Sequence, residues 1–257
     1  MRHTIETEVG KLAVFEEGSG APVFLWPSLF LDHRSLLPLI AELQPRRCIV
    51  VDGPGHGESP GPARRYDLAA CARAAMQVLD ALQLDAVDWV GNAWGGHVGV
   101  CAAVAFPRRI RTLTAIGSPM NALKPGQRLQ MRLLFGIFKL SAGTAGKILG
   151  GAMLSPAALP SLHEHVRQSV QEAPALSDAI RCVSLARPDL TTELARVTCP
   201  TLIVAGADDK MYPPSEAAIQ AACLPNGRCE TLAGASHLGP LEQPQKVAAL
   251  LQGHLTV

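Results

Sequence analysis

Three short segments carry residue types whose spacing suits covalent chemistry. The first is Val90-Gly91-Asn92-Ala93-Trp94-Gly95-Gly96-His97. Glycines two residues before and two after a central position, directly after an apolar run and before a helical pattern, form the G-x-S-x-G nucleophile elbow, whose sharp strand-to-helix turn holds a serine hydroxyl out for attack. The turn is tight, so the flanking positions leave no room for side chains, and Gly91, Gly95 and Gly96 meet that demand. The central residue is Ala93, which has no oxygen to attack with. Small residues here would also let a helix pack closely on a sheet, so this segment alone leaves both readings open. The second segment is the pair Asp208-Asp209 after the apolar run Leu202–Gly206, with Pro213-Pro214 following. An acid at that place can serve chemistry, or it can cap a helix. The third is Gly234-Ala235-Ser236-His237, with Glu242 and Pro244 behind it. Taken alone, a histidine near a C-terminus reads as a surface residue.

These candidates need a scaffold that brings them together. Short apolar runs alternate with helical patterns, which points to an α/β fold: a mostly parallel sheet with helices on both faces. Pro22–Trp26, Cys48–Asp52, Ala86–Val90, Ile110–Ile116 and Pro200–Gly206 read as strands. Tyr66–Leu84 places Leu68, Cys71, Ala75, Val78, Leu79 and Leu82 on one face of an amphipathic helix, and Trp94–Phe106 reads as a small-residue helix stopped at Pro107. The rhythm breaks between the last two strands. Residues 120–195 are helical in pattern, punctuated by Pro125, Pro156, Pro160, Pro174 and Pro188. They read as a helical cap inserted into a core made of residues 1–119 and 196–257, over the carboxyl ends of the strands where α/β sheets keep their sites. Leu129, Met131, Leu133, Leu134, Phe135, Ile137, Phe138 and Met153 make this insertion apolar, which suggests a modest, largely apolar substrate, although most of them could equally pack onto the core.

The motifs together resemble the α/β-hydrolase superfamily. Asp52-Gly53-Pro54-Gly55-His56-Gly57-Glu58-Ser59 is similar to the family's D-x-P-G-H-G-x-S segment, which supports the floor of the site without doing chemistry, so His56 and Ser59 stay off the catalytic list. Gly206-Ala207-Asp208-Asp209 resembles the G-x-x-D strand end, which implies Asp209 as the triad acid. The stretch from Gly234 to Pro244 resembles G-x-x-H-x-x-x-x-E-x-P, which implies His237 as the general base. The order is elbow, acid, histidine, as this fold uses it. Within the superfamily the chain looks most like 3-oxoadipate enol-lactonases and related small esterases, through Ser28-Leu29 and Asp32 after the first buried strand. That likeness implies an oxyanion hole made by the backbone N–H of Leu29 and of Trp94. Pro27 cannot donate there, and Phe30 stands where the lactonases carry glycine. The expected activity is cleavage of a small ester or lactone, with no cofactor.

Ala93 removes one participant and leaves the others. One explanation is a serine enzyme converted to a substrate-trapping form. The other is a native scaffold whose His237–Asp209 pair acts as a base in lyase, isomerase, cyclase or cofactor-free oxygenase chemistry; a ligand sensor is a third possibility. Cys101 lies too far along its helix to replace the nucleophile, at about 1.5 Å of rise per residue. Ser28 lacks an elbow, and His97 reads as packing or capping.

Composition excludes other classes. The 257 residues carry 23 basic and 22 acidic side chains, a net charge of +1, with no basic stripe for nucleic acid and few aromatics for base stacking. Seven scattered cysteines, never in a C-x-x-C pair, argue against disulfides and zinc. No apolar run approaches the roughly 20 residues of a membrane span, and the first eight residues have no signal core. The expectation is a cytoplasmic protein that meets a small-molecule substrate and neither nucleic acid nor membrane.

Overall fold

The computed structural model describes residues 1–62 and 64–256. Eight strands form one sheet: β1 (Arg2–Thr7), β2 (Gly10–Glu17), β3 (Pro22–Trp26), β4 (Arg47–Val51), β5 (Val87–Asn92), β6 (Ile110–Ile116), β7 (Thr201–Gly206) and β8 (Gly227–Leu232). Their spatial order is β1-β2-β4-β3-β5-β6-β7-β8. The β1–β2 and β2–β4 pairs are antiparallel, and every pair from β4 to β8 is parallel. β3 lies between β4 and β5, so the chain leaves it first toward one edge and later returns to build toward the other. The loops that follow β3 and β5 therefore diverge, opening a crevice at their carboxyl ends, the switch point where such sheets place ligands.

Burial explains why the central strands form. β5 and β7 are buried along their full length, as strands covered on both faces must be. Successive side chains go to opposite faces, and the core accordingly divides in two. Phe24, Trp26, Ile49, Val51, Trp89 and Leu113 pack on one face with helices α2 (Leu68–Ala81) and α3 (Trp94–Ala105). Val23, Leu25, Cys48, Val50 and Val90 pack on the other, beneath α1 (Leu37–Glu42) and α10 (Pro244–Gln252). The carboxylate of Asp67 caps α2 by accepting the N–H of Ala70 at 2.7 Å.

The segment between β6 and β7 folds as α4 (Pro125–Leu140), α5 (Ala142–Met153), α6 (Pro160–Glu172) and the short α7 (Leu176–Ala179), which continues into a wide π turn over Ile180–Leu185. Pro125 and Pro160 each open a helix, where a missing N–H costs nothing. This segment rests on the loops after three strands. Ala175 N–H donates to Gly55 O, His237 N–H donates to Met153 O, and Ser155 N–H donates to Glu242 Oε2. Arg34, after β3, bridges Asp32 and Glu172 of α6 at 2.7 Å to each. The remaining helices are α8 (Pro214–Ala222) and α9 (Gly239–Glu242). Among the described residues no helix is long and apolar enough to cross a membrane. Of the apolar residues of α4, Met131, Leu134, Phe135, Ile137 and Phe138 pack against the core, whereas Leu129 and Leu133 are 58% and 61% exposed.

Candidate active site

Ala93 is the hinge between β5 and α3. Its backbone has φ 49° and ψ −104°, a left-handed region that L residues avoid. Its N–H donates to Ile116 O at 2.8 Å, and its carbonyl accepts from Gly96 N–H and His97 N–H at 3.0 and 3.2 Å. The flanking glycines are demanded by contact. A Cβ on Gly91 would lie 2.1 Å from the carbonyl carbon of Gly95, and one on Gly95 would lie 2.0 Å from Trp26 O.

The turn after β7 holds Asp209, which is 2% exposed beside an exposed Asp208. Its Oδ1 accepts the N–H groups of Met211 and Tyr212 at 2.9 and 3.0 Å. Its Oδ2 faces His237 Nδ1 at 2.8 Å. A carboxylate can only accept, so the proton in this hydrogen bond is on Nδ1. His237 is 6% exposed, and Ala93 is 7% exposed. Asn92 joins the two halves of the site. Its Nδ2 donates to Ile116 O at 2.9 Å and to His237 O at 3.0 Å, tying the histidine loop to the residue before Ala93. Sequence reasoning missed this role; the middle letter of G-x-S was treated as free.

Leu29 and Trp94 are 7% and 2% exposed, and among the described residues neither amide N–H has an acceptor within the chain. Buried N–H groups without partners are rare, so each of these amides is free to donate to an oxygen from outside the chain. The loop before them is braced from several sides. The His56 Nε2–H group donates to Leu29 O, and Leu31 N–H donates to Ser28 O at 3.0 Å. Asp52 accepts from His33 N–H at 2.7 Å and Glu58 N–H at 2.9 Å, while Ser59 Oγ donates to Asp52 O at 2.7 Å. Burial lowers the His56 pKa. Trp94 is pinned by its own indole, edge-on to Trp26 with centroids 5.3 Å apart.

His97 lies near enough to His237 to feel its charge, but its Nε2 is engaged elsewhere. His97 Nε2–H donates to Pro119 O at 2.8 Å, and burial together with the nearby Arg187 cation holds its pKa well below 6.5. Burial pushes the Cys101 thiol up to about 12. Arg187 was not anticipated. It lies beyond the π turn, donates from Nη2 to Asn121 O at 2.6 Å, and burial pushes its guanidinium down to about 10. Among the described residues no carboxylate lies within salt-bridge distance of it. Asp32, His33 and Asp52 place their ligating atoms within 4.8 Å of one another. Those atoms are already engaged, by Arg34 on Asp32 and by His33 and Glu58 on Asp52, which makes the cluster a brace for the loop.

The chain can be set beside known proteins. A sequence profile described as the alpha/beta hydrolase family matches residues 18–250. The chain is 25% identical over 230 residues to 3-oxoadipate enol-lactonase 1 of Acinetobacter baylyi, covering 88% of this chain and 85% of that protein. It is also 25% identical over 248 residues to 2-hydroxymuconate semialdehyde hydrolase of a Pseudomonas species, covering 91% and 83%. A thermophilic esterase structure from Thermogutta terrifontis superposes with a TM-score of 0.88 at 24% identity, covering 98% of this chain and 97% of that one.

Proposed function

The chain belongs to the α/β-hydrolase family, and from that premise we propose a site for small carboxylic esters or lactones in which Ala93 occupies the nucleophile's position. His237 is then the general base, Asp209 its orienter, and the N–H groups of Leu29 and Trp94 the oxyanion hole. Gly91 and Gly95 make the elbow, and residues 120–195 form a cap over the core. The observation that carries the reading is the strained turn at Ala93 tied through Asn92 to His237. An unreactive methyl group gives no reason for the chain to hold a forbidden conformation there, whereas the conformation is what a nucleophile needs. Relatives named as an enol-lactonase and a semialdehyde hydrolase support the substrate class.

With serine at 93, His237 Nε2 would take the Oγ proton as Oγ bonds to the carbonyl carbon, and the two amides would hold the charge on the carbonyl oxygen. The leaving oxygen would receive that proton, and water would then release the acyl group by the reverse sequence. With alanine no acyl-enzyme forms. The chain as written is a substrate-trapping form, with a residual acceleration of roughly 10³–10⁴ over water from the hole and binding. Ala93→Ser tests this: it should hydrolyse short p-nitrophenyl esters or lactones, and inertness across a broad panel would end the proposal. The intact His237–Asp209 pair beside two unpartnered amides also favours a second reading. It is proton abstraction from an enolisable carbon acid by the unaltered chain, which His237→Ala would abolish.

A further inference from the structure

Charge is unevenly spread along this chain. Between Asp88 and Glu164 there is no acidic residue, and the part of that stretch that builds α4 and α5 holds Lys124, Arg128, Arg132, Lys139 and Lys147. A protein of net charge +1 thus has a stretch of five cations with no acidic residue among them, although Lys147 has Glu164 of α6 as a neighbour in the fold.

The same helices present apolar side chains to solvent. α4 has no buried residue, although Met131, Leu134, Phe135 and Phe138 on its inner side pack against the core. Leu129, Leu133 and Leu140 follow the i, i+4, i+11 spacing of a single helical stripe on its outer side, at 58%, 61% and 90% exposure. Ile148 of α5 is 46% exposed. The inner face already satisfies folding, so the leucine stripe has no work in the core. Arg132 and Lys139 are exposed along one flank of the stripe, with Lys139 Nζ 5.1 Å from the centroid of the Phe135 ring.

We infer that the outer face of α4 docks on an anionic lipid surface, with Leu133 and Leu140 entering the acyl boundary and Arg132 and Lys139 at the headgroups. An apolar stripe flanked by Lys and Arg is how a helix lies flat in a membrane interface. A second copy of this chain is the poorer occupant, since pairing two such faces would set cation against cation. The lack of a spanning segment, on which the expectation of no membrane contact rested, has no bearing on a helix lying in the surface plane. The placement is independent of the chemistry at residue 93.

Flotation with vesicles tests it. At low ionic strength the protein should float with equimolar phosphatidylglycerol and phosphatidylcholine vesicles and stay behind with phosphatidylcholine alone. Salt near 0.5 M, where the screening length falls to about 4 Å, should release it. The pairs Leu133→Asp with Leu140→Asp, and Arg132→Glu with Lys139→Glu, change only exposed side chains, and each should weaken binding at least about tenfold with an unchanged circular dichroism spectrum. No flotation with anionic vesicles, or flotation indifferent to both pairs, overturns the inference. So does a concentration-dependent dimer in light scattering that the leucine pair dissolves, or binding to polyglutamate without binding to vesicles.

Discussion

Replacing Ala93 by glycine measures the strain on which the site's geometry rests. At an ordinary buried position Ala→Gly loses a methyl group, worth about 0.8 kcal/mol, and adds about 0.5–1 kcal/mol of unfolded-state freedom. Ala102, fully buried within α3, provides that control, and Ala102→Gly should cost about 1.5 kcal/mol or more. Ala93 has the same losses, but at φ 49° its Cβ is what makes the conformation costly, and glycine should recover about 1–3 kcal/mol of strain. The gain and the losses nearly cancel, so Ala93→Gly should lie within about 1 kcal/mol of the parent. The two variants should therefore differ by about 2 kcal/mol, or about 4–8 °C in Tm at this chain length. Urea unfolding with a constant m-value, alongside thermal scans, reads the difference directly. Equal losses in both variants would show that the turn stores no strain.

Acid should destabilise the fold through His97. Its folded pKa is depressed, so its stabilising contribution is complete above the unfolded value of 6.5 and is lost as the pH falls through and below that point, where the unfolded chain takes up the proton first. Urea unfolding at pH 7.5 and 5.5 should show this loss, up to about 1.4 kcal/mol from His97, and His97→Gln should reduce it. An identical pH slope in the variant would refute the assignment. Thiol labelling should be ordered by burial. Exposed Cys223 should react with iodoacetamide at pH 8, while Cys48, whose thiol is pushed up to about 12, and Cys71, raised well above 9, should react only after unfolding. Peptide mapping that finds Cys48 or Cys71 modified first would contradict the packing.

The elements that could be read from sequence were those covered on both sides. Pro22–Trp26 stands out as an unbroken apolar run and Ile110–Ile116 as an apolar run interrupted by Arg111, Thr112 and Thr114; both fold as read, and β5 and β7 differ only at their ends. β1 and β8 lie at the sheet's edges. β1 alternates exposed with half-buried residues, and the Gly227–Leu232 run is mostly polar, so neither offers an apolar signal. The glycines around Ala93 were legible because steric demand restricts residue type. Asn92 was not, because its hydrogen bond reaches His237 O across 145 residues and any polar residue satisfies the motif. Arg187 was hidden for a similar reason: its neighbours His97 and Asn121 come from other segments. Which apolar residues of α4 face outward was not legible, because spacing gives a helix's faces without saying which one meets the core.

The central claim is that residue 93 is where an acyl group would be held. It is tested most directly by treating Ala93→Ser with a fluorophosphonate and mapping the adduct by mass spectrometry. One adduct is expected, on residue 93; it should disappear in Ala93→Ser combined with His237→Ala and never form on the unaltered chain. An unlabelled Ala93→Ser protein that remains folded, or an adduct on another residue such as Ser28, would contradict it.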